Sequence, residues 1–203
     1  MSIKALVAYG STNGSTAQIA ERIGEVLREH GLDTEVRPAV QVGDVAPYDV
    51  VVIGGAVYAG RWHRDARRFA RRNADQLSRK AVWLFSSGPL DASAAQRSIP
   101  PVAGARRAMA HLDAVEHRTF GGCLREGAKG RIARSLITSG RGGDFRDFDS
   151  VTAWAERIAT QSSAHAPSPN GATCGPDRPA QEGRSPAAPI GPARRRREHT
   201  PEP

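Results

Sequence analysis

Residues 3–16, Ile3-Lys4-Ala5-Leu6-Val7-Ala8-Tyr9-Gly10-Ser11-Thr12-Asn13-Gly14-Ser15-Thr16, hold the reading on which the fold turns. The first seven form a short apolar run stopped by Gly10, which predicts a buried strand. Ile19, Ala20, Ile23, Val26 and Leu27 follow at helical spacing, and Gly31 marks the end of that helix. Six small hydroxyl, amide or glycine residues therefore occupy a strand-to-helix turn. Unpaired N–H groups and the positive end of the helix dipole point into such a turn, and side-chain hydroxyls add donors, so it suits an anion. Gly14 permits a backbone path that a side chain obstructs. The turn has no Lys or Arg. That excludes the triphosphate loop ending in G-K-[S/T], and G-x-G-x-x-G is also missing. A single terminal phosphate held by neutral donors is the expected ligand.

Outward from this turn, strands and helices alternate. Strands are expected at Thr34-Glu35-Val36-Arg37, as an edge or half-exposed strand, and at residues 49–53, closed by Gly54-Gly55. Two more follow at residues 81–85 and 115–124, the last with Gly121-Gly122 allowing a bulge or close approach. Helices are expected around residues 66–77, 103–112 and 148–161, with Asp147 capping the last. This predicts an α/β domain with a five-stranded parallel sheet covered by helices on both faces. Ligands of such sheets sit at the carboxyl ends of the strands. Trp83 and Trp154 are expected in the core, and Trp62 either in the core or against a substrate.

The domain is expected to end near residue 161. Residues 162–203 hold 9 of the chain's 14 prolines and almost no large apolar side chain, which predicts a disordered tail. The tail includes Cys174 and the run Arg194-Arg195-Arg196-Arg197. With the other cysteine at Cys123, neither a disulfide framework nor a metal cluster is expected. No apolar run reaches the roughly 18 residues of a membrane span, and the first residues do not read as a secretory signal, so a cytoplasmic protein is expected.

The net charge of +8 is unevenly spread. Residues 1–60 sum to −3, whereas residues 61–80 carry eight basic and two acidic side chains. Arg61, Arg64, Arg67, Arg68, Arg71 and Arg72 dominate that window and invite an anionic partner.

The motif Ser11-Thr12-Asn13-Gly14-Ser15-Thr16 resembles the phosphate loop of flavodoxins, [S/T]-x-[T/N]-G-x-T, which binds the phosphate of FMN. Two further stretches extend the resemblance. Gly54-Gly55-Ala56-Val57-Tyr58-Ala59-Gly60 is similar to the first isoalloxazine loop, and Ser86-Ser87-Gly88-Pro89-Leu90-Asp91 to the second. The resemblance thus implies a flavodoxin-like fold with FMN as cofactor, held by residues 11–16, Ala56, Val57, Tyr58, Ala59, and Ser86 through Asp91. Tyr58 has the added rationale of a flat partner for a ring.

Val57-Tyr58-Ala59-Gly60-Arg61-Trp62-His63 and the basic helix after it resemble the menaquinone-dependent protoporphyrinogen IX dehydrogenase family, as does an insertion at about residues 126–146. This implies an FMN-dependent oxidoreductase acting on a small-molecule substrate, an anionic porphyrinogen, with a quinone as acceptor. Tyr58, Arg61 and His63 are the substrate-side candidates; His63 orients substrate or relays a proton, or is a solvent-exposed histidine. The insertion holds Lys129, Arg131, Arg134 and Arg141 among Ile132, Leu136 and Ile137, a pattern that suits either peripheral contact with an anionic membrane or a surface loop. The alternatives are an electron carrier for an acidic protein partner and, with less support, a nonenzymatic anion- or nucleic-acid-binding module. Nucleic acid is not an expected partner, because interleaved aromatics and a recognition helix are both missing.

Overall fold

The computed structural model describes residues 2–140 and 142–165, except for the side chains of residues 131–133, 136 and 165. The expected tail from residue 166 on, with Cys174 and the basic run at 194–197, lies outside the described residues, as does Arg141.

Strand β1 (Lys4–Gly10) leads into helix α1 (Ser15–Glu29), and β2 (Asp33–Pro38) returns at the sheet edge. Then come β3 (Val50–Tyr58), β4 (Arg61–Trp62), α2 (Arg64–Arg72) and the single turn α3 (Ala74–Leu77). β5 (Ala81–Ser87) precedes α4 (Ser93–Gln96) and α5 (Ala103–Leu112). The chain closes with β6 (Glu116–Phe120), β7 (Cys123–Leu124), α6 (Arg131–Thr138), β8 (Gly143–Asp144) and α7 (Phe148–His165). The parallel order is β2-β1-β3-β5-β6. The chain starts at β1, moves outward to β2 and then crosses back to β3. The strand ends beside β1 and β3 thus become the point where the winding reverses and a crevice opens.

The central strand β3 reads Val50-Val51-Val52-Ile53 because both its faces are covered. One face packs against α1 and α7, with Val7, Val52, Trp83 and Phe85 meeting Ile23, Leu27, Trp154 and Ile158. The other packs Leu6, Val51, Ile53 and Leu84 against Phe69, Leu77, Ala105 and Leu112. Phe85, Phe120 and Trp154 meet at centroid distances of 5.6–6.2 Å in tilted and edge-on pairs, a favourable aromatic geometry.

Three expectations are corrected here. Gly54-Gly55 does not close β3, which runs on to Tyr58. The two glycines continue the strand because aromatic rings fill the space of their missing side chains: a Cβ on Gly54 would meet Phe85 Cε2 at 2.7 Å, and one on Gly55 would meet Trp62 Cδ1 at 2.7 Å. Residues 57–62 then form a hairpin that adds β4 as an antiparallel sixth strand. Trp62 is core, only 1% exposed, and its Nε1–H donates to the Phe85 carbonyl at 3.2 Å.

The expected helix over 66–77 breaks at Asn73, whose side-chain amide donates to the Phe69 carbonyl. The expected strand 115–124 splits at Gly121-Gly122, where the chain passes against Phe145 and Gly88, and Cys123–Leu124 pairs instead with Gly143–Asp144. The last helix starts where expected, with Asp147 Oδ1 accepting from the Asp149 and Ser150 amides at 3.1 and 3.2 Å, and it continues to His165.

Candidate functional site

Residues 11–16 lie where β1 ends and α1 begins, at the carboxyl edge of the sheet. Gly14 adopts φ +82°, left-handed, and stands at the N-cap of α1 without a capping side chain. Ser11 Oγ accepts from the Gly14 amide at 3.1 Å and tightens the turn. The first amides of α1 are therefore left for a ligand. Thr16 is fully buried, and its hydroxyl has no hydrogen-bond partner. A buried hydroxyl without a partner is costly unless something outside the chain takes it up.

A cleft of about 440 Å³ opens beside this turn, within the range of roughly 300–1,000 Å³ found for small-molecule sites. Three segments expected to converge do so: Ser15 and Thr16, residues 56–60 and residues 86–91 all line it. Tyr58 supplies an aromatic wall, and its hydroxyl accepts from Asn13 Nδ2 at 3.4 Å. Pro89, Leu90, Ile99, Pro100 and Val102 make the rest of the lining largely aliphatic. The hairpin tip Ala59-Gly60 forms one lip with φ +47° and +70°, the two-residue turn that matches strand twist. The expected loop is thus a rigid strand extension and not an irregular segment.

Ser86 and Ser87 end β5 with their hydroxyls on opposite faces. Ser87 Oγ lies 3.4 Å from Ser15 Oγ, and Ser86 Oγ lies 2.9 Å from His117 Nε2. His117, on the neighbouring strand, has a buried Nδ1 without a partner. An orphaned N–H donor there is less tolerable than an orphaned acceptor, so the proton belongs on Nε2 and is donated to Ser86 Oγ. The serine hydroxyl hydrogen is then free for the cleft. Burial pushes the His117 imidazole down to about 4.

Arg61 and His63 do not line the cleft. Arg61 pairs with Tyr58 in the hairpin and is exposed. His63, expected as a substrate-side group or an exposed histidine, is the N-cap of α2. Its Nδ1 accepts from the Asp65 amide at 3.3 Å, and its Nε2 lies 3.1 Å from Thr12 Oγ1. Burial lowers its pKa from the ordinary value, with Asp65 opposing and Arg64 and Arg67 adding to the shift. The neutral ring thus acts as a strut between α2 and the turn at residues 11–16. Gly10 makes room for it, since a Cβ there would meet His63 Nδ1 at 2.6 Å.

Several residues of the site were not visible in the sequence. Thr119, Gly122, Cys123 and Leu124 line the cleft from the far side, and the Cys123 amide donates to Ser15 Oγ at 3.0 Å. From there a strap leaves across the turn: the Lys129 amide donates to Asn13 Oδ1 at 2.8 Å. Where the chain returns along β8, Arg146 binds Asp144 at 2.6 Å and also the Gln18 side chain. The Arg146 guanidinium holds the Asp144 carboxyl far below the ordinary carboxylate range. No cluster of metal-binding side chains occurs among the described residues.

A family profile described as "Flavodoxin domain" matches residues 6–139. Protoporphyrinogen IX dehydrogenase (quinone) of Escherichia coli (strain K12) is 26% identical over 86 residues, which is 41% of this chain and 48% of the dehydrogenase. The matched stretch therefore spans about half the length of that relative. Flavodoxin of Nitratidesulfovibrio vulgaris (strain DSM 19637 / Miyazaki F) is 31% identical over 163 residues, 76% of this chain and 96% of the flavodoxin. Among solved structures, a flavodoxin from Streptococcus pneumonia superposes with a TM-score of 0.53 at 18% identity, over 78% of this chain and 99% of that one.

The cofactor of these proteins is FMN, a flat ring with a short tether to a phosphate. The cleft offers a counterpart for each part: neutral donors and an orphaned hydroxyl at one end, and a slot with one aromatic wall beside them. The sheet order, the neutral turn at residues 11–16 and the extended match agree: this chain belongs to the flavodoxin family.

Proposed function

We propose that this chain is an FMN-dependent oxidoreductase that oxidises a small anionic molecule with an apolar body, a porphyrinogen being the class at hand, and passes the electrons to a quinone. A flavin-linked redox role follows from the family; the substrate is our reading. The observation that carries it is the lining of the cleft. Besides Tyr58 the lining is largely aliphatic, with Pro89, Leu90, Ile99, Pro100 and Val102. Exposed cations lie on the segments next to those that line it: Arg61 follows the hairpin lip, Arg64 opens α2, and Arg97 precedes the segment that supplies Ile99. A greasy, flat body edged with carboxylates suits an apolar lining with exposed cations on the flanking segments.

Within this reading, residues 11–16 hold the FMN phosphate, and the Thr16 hydroxyl finds its missing acceptor there. Ala56, Val57, Tyr58 and Ala59 flank the ring on one side, and residues 86–91 face its polar edge with backbone groups and the Ser86 hydroxyl. Bound FMN supplies the electron-transfer chemistry. His63 keeps Thr12 in place. Arg61 and Arg64 attract and orient the substrate carboxylates. Among the described residues no helix is long and apolar enough to cross a membrane. Peripheral contact through residues 126–146 stays part of the proposal, although the side chains of Ile132 and Leu136 lie outside the described residues.

The test is anaerobic mixing of the FMN-loaded protein with protoporphyrinogen IX, read as bleaching of the flavin absorbance, followed by menaquinone to restore it. Arg61→Glu with Arg64→Glu should raise the porphyrinogen KM several-fold and leave FMN affinity unchanged. Unaltered turnover in that double variant removes the charge-recognition argument. A flavin that porphyrinogen leaves oxidised, but that a protein donor reduces, selects a second reading: an electron carrier for an acidic protein partner. That reading is favoured by Arg64, Arg67, Arg68 and Arg71 on α2 and by Arg106 and Arg107 on the neighbouring α5, all exposed.

A further inference from the structure

The phosphate turn has a charge deficit. A phosphate monoester carries roughly −1.5 to −2 at neutral pH, whereas residues 11–16 contribute neutral donors and the partial positive end of one helix. A second recess, of about 340 Å³, lies over that turn, with Thr12, Asn13, Gly14 and Ser15 on one side and Arg125 and Lys129 on the other. It adjoins the main cleft through Ser15 and Cys123, which line both.

The turn itself holds the opposite wall in place. Asn13 grips the Lys129 backbone from both sides, with Oδ1 accepting from the amide at 2.8 Å and Nδ2 donating to the carbonyl at 3.4 Å. Ser15 Oγ accepts from the Cys123 amide. Gly127 at φ +84° and Gly130 at φ +107° turn the chain back over the recess, conformations that glycine adopts most readily. Glu126 is the one carboxylate lining the recess. The two cations differ. Arg125 is engaged by Asp144 at 3.3 Å, whereas the Lys129 ammonium is exposed and has no ion pair among the described residues. Independently, the buried Thr16 hydroxyl has no partner and lines the adjoining cleft, which marks this end as built for an acceptor that the chain does not contain.

We infer that the strap over residues 123–130 is the second half of the phosphate site, and that Lys129 supplies the cation that the turn lacks. The inference rests on the FMN reading and deepens it: the strap makes the site select the phosphorylated flavin over its dephosphorylated form. The backbone pinning brings the lysine to the site, and its flexible stem lets the ammonium reach the phosphate when one is bound. Asn13 is thus a positioning residue, acting on the ligand through the strap.

The experiment titrates apoprotein with FMN and with riboflavin, read by quenching of flavin fluorescence, for wild type, Lys129→Gln and Lys129→Arg. Lys129→Gln should weaken FMN binding about tenfold, as expected for one exposed charge-assisted contact, and leave riboflavin within twofold. Lys129→Arg should retain most of the FMN affinity, and the salt dependence of FMN binding should flatten in the glutamine variant. Equal losses for both flavins would reduce the strap to packing, and unchanged affinity for both would remove the lysine's role. Either result overturns the inference. Either variant result, with wild type that binds FMN, rejects the inference alone; wild type that binds neither flavin rejects the cofactor reading and the inference with it.

Discussion

Replacing His117 by glutamine should make the protein less sensitive to acid. His117 is half-buried, bonded to Ser86 and neutral, with its pKa at about 4 against an ordinary 6.5. The folded state therefore resists protonation of a group that the unfolded chain protonates readily. Stability is fully present above pH 6.5, falls as the pH drops below it, and stops falling below about pH 4. With about 1.4 kcal/mol per pH unit of separation, the linkage relation gives a loss of about 2 kcal/mol between pH 7 and pH 5, and about 3 kcal/mol by pH 4. Urea unfolding at each pH, extrapolated linearly to water, measures this. His117→Gln removes the titrating group, so its stability should fall by about 2 kcal/mol less than that of wild type over the pH 5–7 window. That window matters because Asp144 and Asp147, whose carboxyls are held low by Arg146 and Ser150, add their own losses only in stronger acid. His63, also shifted down, loses stability in the same direction in both proteins and cancels. Parallel stability curves for the two proteins would refute the assigned burial of His117 in its neutral form.

Gly54→Ala should destabilise the protein by about 1–3 kcal/mol, the range for overpacking, because the new methyl would press on the Phe85 ring in the middle of the aromatic cluster; a thermal melt reads it, and a neutral result would mean that the ring has room to move. Asp144→Asn should strip the Arg146 side chain, only 4% exposed, of its counter-ion and leave a buried charge short of partners; hydrogen exchange at residues 123–124 and 143–144 should accelerate while exchange in β1 and β3 stays slow.

What could be read ahead of the structure was local. The strand, small-residue turn and helix of residues 3–29 are contiguous, and each signal there supports the next. Residues 56–60 and 86–91 were locatable because each follows an apolar strand. Gly54-Gly55 misled because paired glycines usually end a strand; the rings of Phe85 and Trp62 that explain them arrive from other elements. His63 misled for the same reason, since its tie to Thr12 spans 51 residues. The Ser86–His117 pair depends on the register of β5 and β6, which sets Leu84 beside His117 and Ser86 beside Thr119. Nothing in the pattern of either strand encodes that register. For Lys129 a signal existed, in the glycines at 127 and 130 that flank it, but it reads only as a turn until the turn is seen to cross residues 11–16.

The crossing has a consequence for the order of events in time. The strap's bonds to Ser15 and Asn13 join residues 108 and 116 positions apart, so the turn at residues 11–16 is synthesised long before the chain that covers it. Contacts closing loops of that length come late, after the sheet has condensed. Interactions that form after the folding barrier govern how fast a structure opens, more than how fast it forms. The strap is therefore placed to act as a kinetic latch: weakening it should leave the folding rate of the sheet nearly untouched while shortening the time for which a captured ligand stays bound.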